Sequence, residues 1–543
     1  MSHPLCGVAA ATLVVVRVAA CVLSAGGAIA VATVTPTPQL GSGGASFSQA
    51  ETTSPTATPT CSCPVRCRCA EDQPYGVGLR QILPPLDAAT LIGQGSRNSP
   101  ARFGDPGRVA TDQAPAVAEG ECPQNLPSTP TPLPGAAWNL IQIGAEPAWR
   151  ALGWPQTAMA QHKVYVAVVD TGVDTSHPDL SGRIAPWQIS FAELQPSDDV
   201  SSDSAHGTAM SSIIAARGDN GEVGIHGIMW GTQVIPCKVG GGNNGTLPKA
   251  LACLAWLEKL MDEQRVPIVA VNFSFGSDCC DCEMERAVAR LRDRGVLFVA
   301  SAGNGRKNAD AAESCPFYPA SYPLSNVVAV TGSDSYGNVL YRYGKRRVHV
   351  AAPGIAIPVL TPGGGRSVIP GGSSPAAAHA TGLVALLYAQ NPSRTWMQVR
   401  NLLLSSGPLV TCANQPICAL VTGRRVQAWG ADGHGALSCR QQIVVRRLLP
   451  VDDNIVARPG DTLDLRVLSI NCAEPLALSD IEVQRASGFI GSVARLNFRD
   501  DGLPPDEVAG DGEFHARWAI AGPPNRDYVV TIGGESLRIH VVP

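Results

Sequence analysis

Short apolar runs at 164–169, 232–239, 267–275, 296–300, 327–331 and 347–351 are rich in valine and alanine and show no polar alternation. Such runs are expected of strands buried on both faces. Between them, 209–216, 249–264, 283–294 and 373–390 place apolar residues at helical spacing. Strands spaced by helices predict a doubly wound, mostly parallel α/β sheet covered on both sides. Past residue 440 the texture changes. The runs 443–449, 462–470, 481–486, 494–498, 513–521, 528–532 and 537–542 alternate apolar with polar positions and are separated by Gly, Pro and Asp. That pattern predicts a C-terminal all-β sandwich. Asp500-Asp501-Gly502 and Ala509-Gly510-Asp511-Gly512 read as turns within it, with a calcium loop as the alternative.

Residues 1–34 are almost wholly apolar, with Arg17 the only strong charge before an Ala-x-Ala site, and are expected to be a signal peptide or a membrane anchor. Residues 35–136 are expected to form a low-complexity linker and a Cys-containing pro-region, because Pro, Thr, Ser and Gly dominate its start and no sustained periodicity follows. Cys61, Cys63, Cys67 and Cys69 are spaced for disulfides rather than for zinc. Seventeen cysteines in 543 residues, behind such a leader, suggest an oxidising compartment, so the chain is expected to be secreted or at the cell surface. The formal net charge of −4 carries no nucleic-acid footprint. Membrane contact is expected only if the leader is retained. This leaves 137–439 for the α/β domain and 440–543 for a sandwich expected to be separable from it.

Three stretches carry candidate chemistry. The strand at 164–169 delivers Asp170-Thr171-Gly172 at its carboxyl end, where open α/β sheets place their ligands. His206-Gly207-Thr208 opens a small-residue helix. Gly372-Ser373-Ser374 precedes a long apolar helix, where a hydroxyl and unpaired backbone N–H groups can face a ligand. Taken singly, each has a plain structural explanation: a strand-end turn for Asp170 and a helix cap for His206 and for Ser374.

Together the stretches VVDTGVDTSHPDL (168–180), HGT (206–208), NFSFG (272–276), SAGN (301–304), YPASYP (318–323) and 372–382 resemble successive blocks of the subtilisin-like serine proteases, over roughly 137–431. The resemblance implies Ser374 as nucleophile, His206 as general base and Asp170 as its orienting carboxylate. It also implies Asn304 as an oxyanion-hole donor, with Ser274, Phe275, Gly276, Ala300, Ser301, Ala302 and Gly303 walling the slot for the residue before the scissile bond. Glu313 falls near the expected floor of that slot and would favour a basic side chain. Asp179 matches a calcium ligand of the family, so a structural calcium is expected at most; no cofactor is required for the chemistry. Cross-links among Cys279, Cys280, Cys282 and Cys315 are expected beside the cleft.

The implied function is a secreted serine endopeptidase acting on proteins or peptides. The competing expectation is a catalytically inactive subtilase fold that binds a surface through its C-terminal sandwich. Two departures from the family pattern sharpen that choice: Pro375 directly follows the nucleophile, and Ala378 stands where the family has proline. If Ser374 is the helix cap, Pro375 occupies the first helical position, where a missing N–H does no harm.

Overall fold

The computed structural model describes residues 110–111, 137–153 and 163–543, apart from 194, 202–203, 218–223, 241–245, 279, 312–313, 411–419, 431, 433 and 487–491. The leader, the linker, the cluster at Cys61 to Cys69 and Glu313 lie outside these residues. The elements begin with β1 (Ala110–Thr111), α1 (Trp138–Gln142), α2 (Ala145–Ala151), β2 (Val164–Asp170), β3 (Ile189–Ser190), α3 (His206–Ala215) and β4 (Thr232–Lys238). They continue with α4 (Leu247–Gln264), β5 (Ile268–Phe273), β6 (Phe275–Gly276), α5 (Cys282–Asp293), β7 (Leu297–Ser301), β8 (Val327–Ser333) and β9 (Val350–Pro353). A hairpin of β10 (Ile355–Thr361) and β11 (Gly365–Gly371) then leads into α6 (Ser373–Gln390) and α7 (Trp396–Ser405).

Seven strands form one parallel sheet in the order β3, β4, β2, β5, β7, β8, β9. Successive residues of a strand point to opposite faces, and here both faces are apolar. Val166, Val168, Ala270, Leu297, Val299, Val328 and Val330 pack against α3 and α6. Ala167, Val169, Val271, Phe273, Phe298, Ala300 and Ala329 pack with α4 and α5. The lack of polar alternation follows from that double burial. The expected run 267–275 is split at Ser274, which falls between β5 and β6.

Among the described residues the C-terminal part holds nine strands: β12 (Ile443–Leu449), β13 (Asn454–Ala457), β14 (Thr462–Asn471), β15 (Glu474–Pro475), β16 (Ile481–Arg485), β17 (Ser492–Leu496), β18 (Glu513–Ala519), β19 (Arg526–Ile532) and β20 (Glu535–Val541). β14 pairs with β12, β15 and β18 in one sheet, and the second runs β13, β20, β19, β16, β17. Leu465, Val467, Phe514 and Trp518 of the first face Val483, Tyr528, Val530, Leu537 and Ile539 of the second across one apolar core. The Asp-Gly loops are turns: Asp500 accepts backbone N–H groups from Gly510 and Gly512 at 2.6 and 2.9 Å, and Asp506 accepts that of Gly502 at 2.6 Å.

The first β-sheet also has a second face, turned toward the α/β part. Val444, Leu448, Leu468 and Ile470 belong to the same apolar cluster as α6 and α7. Within this joint Arg400 of α7, 1% exposed, donates to Glu513 of β18 at 2.9 Å and to the Ser325 carbonyl at 2.7 Å. Arg466 of β14 bonds the other carboxylate oxygen of Glu513 and reaches the Pro323 carbonyl at 2.6 Å. Burial would raise the Glu513 pKa, but Arg466 and Arg400 outweigh it and hold the group at about 2. A disulfide from Cys439 to Cys472 crosses the same junction. The sandwich therefore has its own core but covers part of the neighbouring one, which qualifies the expectation of a separable module. Removing one partner of a buried ion pair leaves the other charge uncompensated. Glu513→Ala is expected to lower the unfolding free energy by about 3–5 kcal/mol in urea titration; a loss within about 0.5 kcal/mol would show that the joint contributes little.

Candidate active site

The predicted residues lie on segments that reach the carboxyl edge of the sheet. β2 ends at Asp170, α3 begins at His206, Ser274 follows β5, Ser301–Gly303 close β7, and α6 begins beside Ser374. Asp170, 2% exposed, accepts from His206 Nδ1 at 2.8 Å through Oδ1 and 3.0 Å through Oδ2. The Thr171 N–H also donates to Oδ1 at 2.7 Å. A carboxylate only accepts, so the imidazole proton sits on Nδ1, and in the neutral ring Nε2 carries the lone pair, the arrangement of a general base. The contact needs close backbone approach. A methyl group on Gly207 would come within 2.1 Å of the Gly172 carbonyl oxygen and 3.2 Å of Asp170 Cβ, so only glycine lets α3 start this near β2.

Ser374, 1% exposed, donates through Oγ to the Ser274 carbonyl at 3.1 Å. Its neighbour Ser373 ties the helix to the segment that carries Asn304. The Ser373 hydroxyl accepts from the Gly303 N–H at 3.1 Å and donates to Asn304 Oδ1 at 3.0 Å. The Ser373 N–H also donates to that oxygen, at 2.7 Å. An N–H can bond only an acceptor, so the oxygen of Asn304 faces the helix, and the direction of its amide NH₂ is fixed by that anchor.

α6 starts at Ser373 with Gly372 as cap, which corrects the expected placement of Ser374 as cap and Pro375 as first helical residue. Pro375 is third, and still harmless, because the first four helical N–H groups have no partner within the helix. Its carbonyl accepts from His379 Nδ1 at 2.7 Å, and His379 Nε2 meets Asn139 Nδ2 of α1 at 2.9 Å. Sequence reading missed Ser373, Asn139 and His379: their partners lie at long range or on the buried face of one helix.

Along the slot, Ser274, Ala300, Ser301 and Ala302 are buried. Phe275 stacks on Phe273 at 3.9 Å, so its side chain is core and its backbone forms the edge. That edge is paired: β1 runs antiparallel to β6, with Ala110 opposite Gly276 and Thr111 opposite Phe275. Cys280, Cys282 and Cys315 beside the cleft are disulfide-bonded, as is Cys237 with Cys253. Asp179 sits apart, its Oδ2 accepting the Ile225 N–H at 2.8 Å. Among the described residues no group of three or more His, Cys, Asp or Glu could hold a metal ion; the loop 218–223 lies outside them.

With this geometry, the match of residues 161–426 to the model of the Subtilase family decides the lineage. The chain belongs to the subtilase family. It is 32% identical over 253 residues to Thermophilic serine proteinase of Bacillus sp. (strain AK1), a match covering 46% of this chain and 58% of that protein. Against Fervidolysin of Fervidobacterium pennivorans it is 32% identical over 268 residues, covering 44% and 36%. Against Subtilisin BL of Lederbergia lenta it is 31% identical over 239 residues, covering 44% and 81%. The subtilase chain thus spans little more than half of the first of these relatives and about a third of the second.

Burial drives the pKa of His379 from 6.5 down to about 4, and that of His349 likewise. A histidine kept neutral by the fold stabilises it fully above pH 6.5, and this contribution is lost as pH falls toward 4. Urea stability is expected to decline across that window. His379→Gln can donate to Pro375 and accept from Asn139 without titrating, so it is expected to reduce the slope; an unchanged slope would remove His379 from the account.

Proposed function

We propose that this subtilase is a serine endopeptidase that hydrolyses peptide bonds. Ser374 attacks the carbonyl carbon, His206 takes its proton and returns it to the leaving amine, and Asp170 holds the imidazole tautomer and offsets its developing charge. Asn304 and the Ser374 N–H stabilise the oxyanion, a contribution of roughly 3–4 kcal/mol for such a donor. The observation that carries the reading is the buried 2.8 Å contact between Asp170 and His206 Nδ1 at the carboxyl edge of the sheet. The pairing of Ala110–Thr111 with β6 supports an extended peptide as substrate, since an edge strand takes a peptide by backbone hydrogen bonds. The disulfides support a secreted or cell-surface location. Among the described residues no helix is long and apolar enough to cross a membrane.

One observation favours the inactive scaffold: the Ser374 hydroxyl is engaged by the Ser274 carbonyl. A turn about one side-chain bond releases it, and such rotamer changes cost little beside the barrier to amide hydrolysis. Labelling by a fluorophosphonate probe separates the readings. The enzyme is expected to be labelled at Ser374 and to hydrolyse casein, with Ser374→Ala losing activity by a factor on the order of 10⁶. Folded protein that takes no label and cleaves nothing would establish the scaffold.

A further inference from the structure

β5 and β7 are neighbouring parallel strands, with Phe273 opposite Ala300, and Ser274–Gly276 and Ser301–Gly303, which continue them, bound the gap that the family resemblance gives to the residue before the scissile bond. If the chain cleaves peptides as proposed above, the side chain preceding the scissile bond enters this gap. Its depth is set by one residue that the sequence reading passed over. A methyl placed on Gly276 would lie 2.7 and 2.9 Å from Cε1 and Cζ of Phe317. A methyl placed on Gly303, on the other wall, would lie 3.2 and 3.3 Å from Cγ and Cδ1 of the same ring. One phenyl ring therefore reaches from wall to wall at the level of the two glycines, leaving no room beside it for a second ring or a long chain.

The ring is held there. Phe317 is 8% exposed, and the Arg342 guanidinium lies over it at 5.4 Å. Arg342 is anchored in turn by the Cys315 carbonyl at 2.7 Å and by Asp278 at 3.7 Å. The backbone on the C-terminal side of Phe317 is stitched to the wall, with Tyr318 N–H to the Ser277 carbonyl at 2.8 Å and Ser277 N–H to the Tyr318 carbonyl at 2.9 Å. Swinging the ring aside would break this set of contacts together. Behind the ring stands the Arg342 guanidinium, ion-paired with Asp278.

We propose that Phe317, backed by Arg342, closes the specificity slot and restricts the residue before the scissile bond to small side chains such as Gly, Ala and Ser. Large apolar and basic residues are excluded by volume. Glu313, expected near the floor of this slot, lies outside the described residues.

The test is a set of peptide p-nitroanilides that differ only in the residue before the anilide: Ala, Leu, Phe and Lys. The full chain is expected to give a kcat/KM for Ala at least about 100-fold above those for Phe and Lys, the scale on which a filled apolar site discriminates. Phe317→Ala is expected to raise the Phe/Ala ratio by a similar factor. Phe317→Leu, which keeps most of the packing, is expected to fall between. Wild-type protein that hydrolyses Phe and Ala substrates within about threefold of each other overturns the assignment, and so does a folded, active Phe317→Ala with an unchanged ratio; both leave the peptidase reading standing. Protein that cleaves none of the four and takes up no fluorophosphonate overturns the peptidase reading and the slot with it.

Discussion

A helix that is apolar all round is stable only where protein covers every side of it, and α6 is such a helix. Residues 373–389 are all buried, between the sheet strands β5, β7, β8 and β9 and the helices α3 and α7. This constraint fixes the rest. Because α6 cannot shift without exposing its faces, its N-terminus, with the backbone of Ser373 and Ser374, is held in place. The polar groups at that end are satisfied within the protein: Thr381 donates to Asn272 Oδ1 at 3.0 Å, Asn272 donates to Ser274 Oγ at 3.0 Å, and Ser373 bridges to Gly303 and Asn304. Buried polar groups with complete partners favour one arrangement, since any other leaves one unpaired. The site is positioned by desolvation and by hydrogen bonds that have nowhere else to go.

The same logic extends to the C-terminal sheets. α7 packs on α6 and on β14, and Trp396, Leu402 and Leu403 on its covered side lie in one apolar cluster with Val444, Leu448, Leu468 and Ile470 of the sandwich. Arg400 lies on that covered side, and Glu513 of the sandwich, a carboxylate it shares with Arg466, supplies the negative charge that makes its burial tolerable. A second ionic cluster, Lys345, Arg346 and Arg447 around Asp453, repeats the device at another point of the junction. The sandwich thus belongs to the support of the helix that carries Ser374, one layer removed from it.

Much of this was legible in the sequence because double burial leaves a local trace. Six apolar runs became strands of the parallel sheet, and 373–390 was legible as a helix, although its cap was not. Asp170, His206 and Ser374 were legible as members of motif blocks. Elements without a strong period were not: α7 mixes Arg400 and Asn401 into its buried side, and β13 and β15 are short strands with mostly exposed residues. The role of Ser373 depends on Asn304 some 69 residues away, and that of Phe317 on two glycines in different walls. No window of sequence contains such a relation. Pro375 was placed two positions too early in its helix because cap preference is a local rule, whereas burial of Ser373 against Gly303 set the start.

The central claim is that Asp170 holds His206 in one tautomer for proton transfer from Ser374. Asp170→Asn tests it most directly, because an amide at that position can present a donor to Nδ1 and stabilise the wrong tautomer while leaving size and packing intact. With the fold verified by unchanged circular dichroism, kcat on a cleaved peptide is expected to fall by a factor on the order of 10⁴. A folded Asp170→Asn protein that keeps kcat within about tenfold of the original would contradict the claim.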